Sequence, residues 1–180
     1  MFQKTFSKKL KEQKVCLAEK RGFTLIELLI VIAIIAIIAA VVFVALDPLT
    51  RFRDARDSSR WSDVSATLSA IKVDQVDNRG SYLAAITADG TARMIGDGTA
   101  GCDDAYDAGN CDVEIIADDA CVDLTGLVTE GYLGAVPISP DGAVTWNAST
   151  TGYVLTASAT GIITIQSCES ENATSISISR

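Results

Sequence analysis

Apolar residues are spread along this chain in three different ways, and each predicts a different kind of element. From Leu28 to Leu46 nineteen consecutive residues carry no charge, and the run extends back to Phe23 if Thr24 and Glu27 are accepted within it. A helix of those twenty-four positions, rising about 1.5 Å per residue, is roughly 36 Å long. That exceeds the ~30 Å hydrocarbon core of a bilayer. The helix would be apolar on every face, and a domain this small holds too little protein to bury it, so a membrane span is expected over a core helix.

Asp47 and Pro48 end the run. Proline lacks a donor and clashes with the carbonyl of Val44, so the helix should kink, or stop and restart, with Asp47 as a cap and Pro48 at the first position of the new helix. Beyond it Leu49, Phe52, Trp61, Val64, Leu68 and Ile71 recur largely at three- and four-residue steps, the apolar face of an amphipathic helix. The opposite side carries Arg51, Arg53, Asp54, Arg56, Asp57, Arg60 and Asp63, which reads as a solvated surface paired within itself, Arg51 with Asp54 and Arg53 with Asp57. Asn78, Arg79 and Gly80 offer a left-handed stop.

From Thr87 to Asp119 no period is sustained, and a composition rich in Gly, Asp, Ala and Thr predicts a loop. Leu124, Leu127, Val128, Tyr132 and Leu133 fit a short helix or turn before VPISPDG, where two prolines and Asp-Gly mark a reversal. Three stretches rich in Val, Ile, Tyr and Thr then read as strands, Ala143–Asn147, Gly152–Ala157 and Gly161–Ser167, the last two as a hairpin. The fold class expected is α+β: one long N-terminal helix, transmembrane in its first half and amphipathic in its second, packed against a small antiparallel sheet.

Charge divides the chain at the same place. Residues 1–22 hold seven Lys or Arg against two Glu, a net +5, so the remainder of a chain whose total is -8 stands at -13. An acidic body of that size disfavours nonspecific binding to nucleic acid or anionic lipid, and no nucleic-acid partner is expected of the chain alone. The basic excess ahead of the apolar run predicts a cytoplasmic N-terminus and places everything beyond Asp47 outside.

Cys16 lies in the basic leader, and Cys102, Cys111, Cys121 and Cys168 lie beyond it, where two disulfides are expected. With no C-x-x-C pair and no His, a structural zinc site is disfavoured. Asp97, Asp103, Asp104, Asp107, Asp112, Asp118 and Asp119 match no EF-hand spacing and read as a solvated acidic loop, so no metal or cofactor is expected. The absence of His, of a P-loop, of G-x-S-x-G and of a dinucleotide fingerprint argues against an enzyme. The Asn-x-Ser/Thr triplets at Asn147 and Asn172 are given no role.

The most specific signal is RGFTLIELLIVIAIIAIIA from Arg21 onward. A secretory signal has a shorter apolar region with its cleavage site after it, whereas here the natural cut, between Gly22 and Phe23, precedes the helix and leaves it on the mature chain. The segment from about Lys20 to Leu49 resembles the N-terminus of type IV prepilins and the related pseudopilins. In that family a membrane peptidase cleaves after the Gly and methylates the new amine, which the resemblance places at Gly22 and Phe23. It further implies that Glu27 of one subunit neutralises the Phe23 amine of its neighbour and so registers each incoming subunit. Glu27 also stands out physically, since an ionised carboxylate within hydrocarbon needs a partner or a proton. Ala33, Ala36, Ala39, Ala40 and Ala45 would let copies of the helix approach closely.

The domains expected are a cleaved leader, 1–22; a transmembrane and filament-core helix, 23–47; an amphipathic helix, 48–80; and a globular head, 81–180. The spacing of Cys121, the Val136–Asp141 proline segment and the strands up to Cys168 also resembles the heads of small bacterial pilins, although Ser139 stands where the family usually has Asp. Of three possible connectivities, Cys102–Cys111 with Cys121–Cys168 is preferred.

The function so implied is a structural subunit of a type IV pilus-like filament. The alternatives are a pseudopilin of a type II secretion or DNA-uptake system, or a monomeric membrane-anchored extracellular binding domain that keeps its leader. The implied partners are further copies of the chain and other pilins, a prepilin peptidase, an assembly platform in the membrane, and the lipid bilayer. The implied location is the inner membrane as a single-pass protein before assembly, and a cell-surface filament afterwards.

Overall fold

The structure, a computed structural model, describes residues 22–116 and 120–180. The basic leader with Cys16, and Asp118 and Asp119, lie outside the described residues. The chain divides into two units, one ending at Ala45 and one running from Leu46 to Arg180.

In the first unit, α1 (Leu25–Leu46) has no buried residue and carries Ile, Leu, Val, Ala and Phe on every face. Its apolar stretch is the one among the described helices long and apolar enough to cross a membrane. α1 ends at Leu46 and α2 (Pro48–Asp77) begins one residue later. Between them Asp47 adopts φ 38° and ψ 72°, a left-handed conformation that most L residues avoid. Pro48 takes the first helical position as expected, but Asp47 does not cap: its carboxylate accepts from the Thr50 hydroxyl at 2.7 Å and from no backbone N–H. At its other end α2 closes on Asn78, with Arg79 and Gly80 at positive φ and the Gly80 N–H donating to Gln75 O at 2.7 Å, the stop that Asn and Gly were expected to supply.

The second unit completes the α+β fold. β1 (Ala92–Met94), β2 (Tyr153–Ala157), β3 (Ile163–Ser167) and β4 (Ser177–Ser179) form one sheet in that order, every pair antiparallel. α2 covers one face, where Val64, Leu68 and Ile71 meet Tyr153, Leu155, Ile163 and Ile165. On the other face Met94 and Val154 pack with Trp146, Ile115 and the cysteines Cys102, Cys111 and Cys168. Two short helices, α3 (Asp104–Asp107) and α4 (Thr125–Thr129), lie in the connections.

The β2–β3 hairpin and the short helix after Leu124 agree with the sequence reading, while three details differ. Residues 143–147 form no strand. The Glu169 carboxylate accepts from the N–H groups of Ala143 and Val144 at 3.1 and 3.0 Å and from Trp146 Nε1 at 3.3 Å, so a side chain stands where a strand partner would. β1 arises within the stretch read as loop, its inward residues Ala92 and Met94 having little strand propensity of their own and gaining their pairing from β2. The apolar face of α2 holds only in part: Val64, Leu68 and Ile71 are buried, but Leu49, Phe52 and Trp61 are exposed.

Candidate processing and assembly site

Gly22 and Phe23 precede α1 and are fully open, Phe23 being 91% exposed. A Cβ added at Gly22 would meet nothing within 4 Å among the described residues, so packing against them does not require a glycine there. The helix starts on a reciprocal cap. Thr24 N–H and the Thr24 hydroxyl both donate to Glu27 Oε2 at 2.8 Å, and Glu27 N–H donates back to Thr24 Oγ1 at 3.2 Å. Two first-turn N–H groups that hydrocarbon could not satisfy are thereby paired. The sequence carries this use of Glu27 in its Thr-x-x-Glu spacing from Thr24, a signal separate from its charge. Both Thr24 donors converge on Oε2, and Oε1 takes no part in the cap.

Ile30, Val31, Ile34, Ile35 and Ile38 are each at least half exposed, as are large side chains on every other side of α1. An apolar surface of this extent has to be covered by lipid or by other chains. The alanines expected to favour close packing, Ala33, Ala36, Ala39, Ala40 and Ala45, are all exposed on the same helix.

Residues 18–43 match the prokaryotic N-terminal methylation motif. This is a prepilin-type cleavage and methylation segment. It spans residues 18–21, Gly22, Phe23, Glu27 and most of α1, and a motif of this kind supports a type IV pilin-like or pseudopilin precursor. Neither the search of curated proteins nor that of solved structures returns a match.

The charged side of α2 is not the solvated surface that the sequence suggested. Arg60 is wholly buried and Asp57 nearly so. Every N–H of the Arg60 guanidinium has an acceptor: Nε donates to Ser139 Oγ at 3.1 Å, Nη1 to Asp57 at 2.9 Å and Glu171 at 3.1 Å, and Nη2 to Pro140 O at 3.0 Å and Glu169 at 3.2 Å. Arg56 joins through a two-point pair with Glu171, its Nε at 2.6 Å from Oε1. Asp57 accepts from the successive backbone N–H groups of Glu171, Asn172 and Ala173 at 3.1, 2.8 and 3.0 Å. Gly142 sits so close that a Cβ there would fall 2.7 Å from Glu169 Oε2.

Burial disfavours the Asp57 carboxylate, yet the three N–H groups and Arg60 outweigh it and hold the acid below its ordinary range. Arg56, and then Arg60, hold Glu171 low as well. Burial, reinforced by a 2.6 Å bond to Asp63, pushes the Tyr153 phenol well above its usual value. Of the pairs expected along this face, Arg51–Asp54 is present at 3.8 Å, whereas Asp57 pairs with Arg60 and Arg53 lies 4.0 Å from Glu171. The cluster ties α2 to the segment after Cys168, a contact across more than a hundred residues that helical spacing could not reveal.

The four head cysteines all pair, but not as preferred. The bridges are Cys102–Cys121 and Cys111–Cys168. Cys121 is delivered to Cys102 by backbone bonds from Cys121 N to Gly98 O at 3.2 Å and from Val122 N to Met94 O at 2.7 Å. Asp112 N–H, donating to Cys168 O at 3.0 Å, sets Cys111 beside Cys168. The two bridges therefore interleave and pin the acidic loop to the sheet. Among the described residues no three Asp, Glu or Cys side chains converge to hold a metal, and Asp97 accepts from the Ser149 hydroxyl at 2.9 Å.

Proposed function

We propose that this chain is a structural subunit of a type IV pilus-like filament, cut between Gly22 and Phe23, methylated at Phe23 and assembled through α1. The observation that carries the reading is the methylation motif lying over a helix that has no buried residue among the described residues. Such a helix exchanges lipid for copies of itself at little cost, since both environments are apolar. Glu27 sits one helical turn from the amine that cleavage creates. Thr24 fixes one of its oxygens and leaves the other to accept from a neighbouring subunit. The head would stand outside the cell, with the leader in the cytoplasm until the peptidase removes it. No catalytic role is proposed.

A pseudopilin of a secretion or DNA-uptake system would use the same segment and the same assembly step, and differs in where the fibre is found. A monomeric anchored binding domain would keep its leader. Mass spectrometry of the protein from membranes separates these readings: a chain beginning at methylated Phe23 supports the filament subunit, and an intact Met1 removes it. Within the filament class, electron microscopy with an antibody to the head distinguishes surface pili from a fibre confined to the envelope. Glu27→Leu is expected to insert normally and to lower fibre yield strongly; normal yield would take Glu27 out of the mechanism.

A further inference from the structure

The head-facing stripe of α2 runs through Arg60, Val64, Thr67 and Ile71, and its three- and four-residue steps continue backwards through Arg56 and Arg53 to Leu49. Its upstream end is left uncovered by the head. Leu49 and Phe52 are 68% and 64% exposed, and the Arg51 and Arg53 side chains are 76% and 53% exposed. The acids nearby are engaged elsewhere: Asp47 by Thr50 at 2.7 Å, Asp54 by Asn172 Nδ2 at 2.7 Å, and Glu171 by Arg56 and Arg60. The two arginines are left with only long contacts, 3.8 Å to Asp54 and 4.0 Å to Glu171, which are worth little at an exposed site.

We propose that this first part of α2 is a phospholipid seat: in the unassembled subunit Leu49 and Phe52 enter the headgroup layer of the bilayer while Arg51 and Arg53 hold lipid phosphate oxygens. The proposal rests on α1 spanning the membrane. The apolar run ends at Leu46, and Phe52 lies only six residues on. Two residues of chain reach at most about 7 Å, and four helical steps add about 6 Å, so Phe52 stays within roughly 13 Å of Leu46 whatever the angle at Asp47. The remainder of the chain is strongly acidic and is repelled by phosphate. Two outward arginines next to the span are the local countermeasure, and long cationic side chains beside apolar ones suit a membrane interface.

The test places the photo-crosslinker p-benzoylphenylalanine at Phe52, or at Phe43 within α1 as a reference, in the full chain. The protein is diluted into vesicles of phosphatidylethanolamine and phosphatidylglycerol, and the adducts are read by mass spectrometry. Phospholipid adducts at both positions are expected. Adducts to a second copy, or none, at position 52 while position 43 labels lipid would overturn the seat alone. Failure at both positions would overturn the span and the seat with it. Arg51→Gln with Arg53→Gln should lower the lipid adduct yield at position 52, roughly fivefold for each arginine. An unchanged yield would remove the arginines from the proposal.

Discussion

α1 and α2 follow one another with a single residue between them, yet they are stabilised by opposite means. Among the described residues α1 has no buried residue, whereas α2 buries eight, among them the charged Asp57, Arg60 and Asp74. The more apolar helix is the one the fold leaves bare, and the more polar helix forms part of the core. Hydrophobicity alone therefore does not say what a helix packs against. What decides is whether the rest of the chain supplies complementary groups, which for α2 are the sheet, Ser139, Glu169 and Glu171.

The sharpest way to break this contrast is Arg60→Ala. It leaves Asp57, Glu169 and Glu171 facing one another with their buried cation gone, and it should lower head stability by about 3–5 kcal/mol, read by urea unfolding with the near-UV signal of the buried Trp146. Membrane insertion of α1 should not change, and a defect in insertion would mean that the two regions are not independent. Next in size, Cys111→Ser with Cys168→Ser should cost the head about 2–4 kcal/mol. Its unfolding should then overlap that of the reduced protein more than that of the oxidised one.

Acid provides a reversible version of the first experiment. Asp57 and Glu171 have ordinary values of 3.8 and 4.5 and are held lower in the folded head. The stability they contribute is complete above about pH 4.5 and is lost as pH falls through their folded values. Thermal melts should therefore be level from pH 7 to pH 5 and decline below, and the decline should shrink in the Arg60→Ala variant. Melts independent of acid would show that the cluster contributes nothing net.

The smallest expected effect is also the most discriminating for α1. Thr24→Ala removes the reciprocal cap but keeps the Glu27 carboxylate, at a cost to the first turn of about 1 kcal/mol. If Glu27 serves chiefly to register subunits, Thr24→Ala should assemble nearly as well as the unaltered chain while Glu27→Leu does not. Equal fibre yields from the two variants would make Glu27 a helix cap and nothing more.

The parts of the molecule legible in the sequence are those set by local chemistry. An unbroken apolar run declares α1, Pro48 and Gly80 mark both ends of α2, and a composition rich in Val, Ile, Tyr and Thr announces the β2–β3 hairpin. The cleavage motif is likewise contiguous and could be read directly. What escaped were partners far apart along the chain. Arg60 and Glu171 are separated by 111 residues, and nothing in a row of alternating Arg and Asp distinguishes the buried cation from its solvated neighbours. Cys111 found Cys168 and not Cys102 because strand pairing and loop return set their distance, and sequence spacing carries neither. The cap at Thr24 is different, since its signal, Thr-x-x-Glu, is local.

The crossed arrangement of the two disulfides has a mechanical result. Because Cys102–Cys121 and Cys111–Cys168 overlap in sequence, any single cut between residues 102 and 168 is spanned by at least one bridge. A head nicked once by a protease between Cys102 and Cys168 therefore remains one covalent object, still joined to α1, and comes apart only when a reductant is added. Bridges paired in sequence, Cys102 with Cys111 and Cys121 with Cys168, would have left the stretch between Cys111 and Cys121 as a place where one cut severs the head.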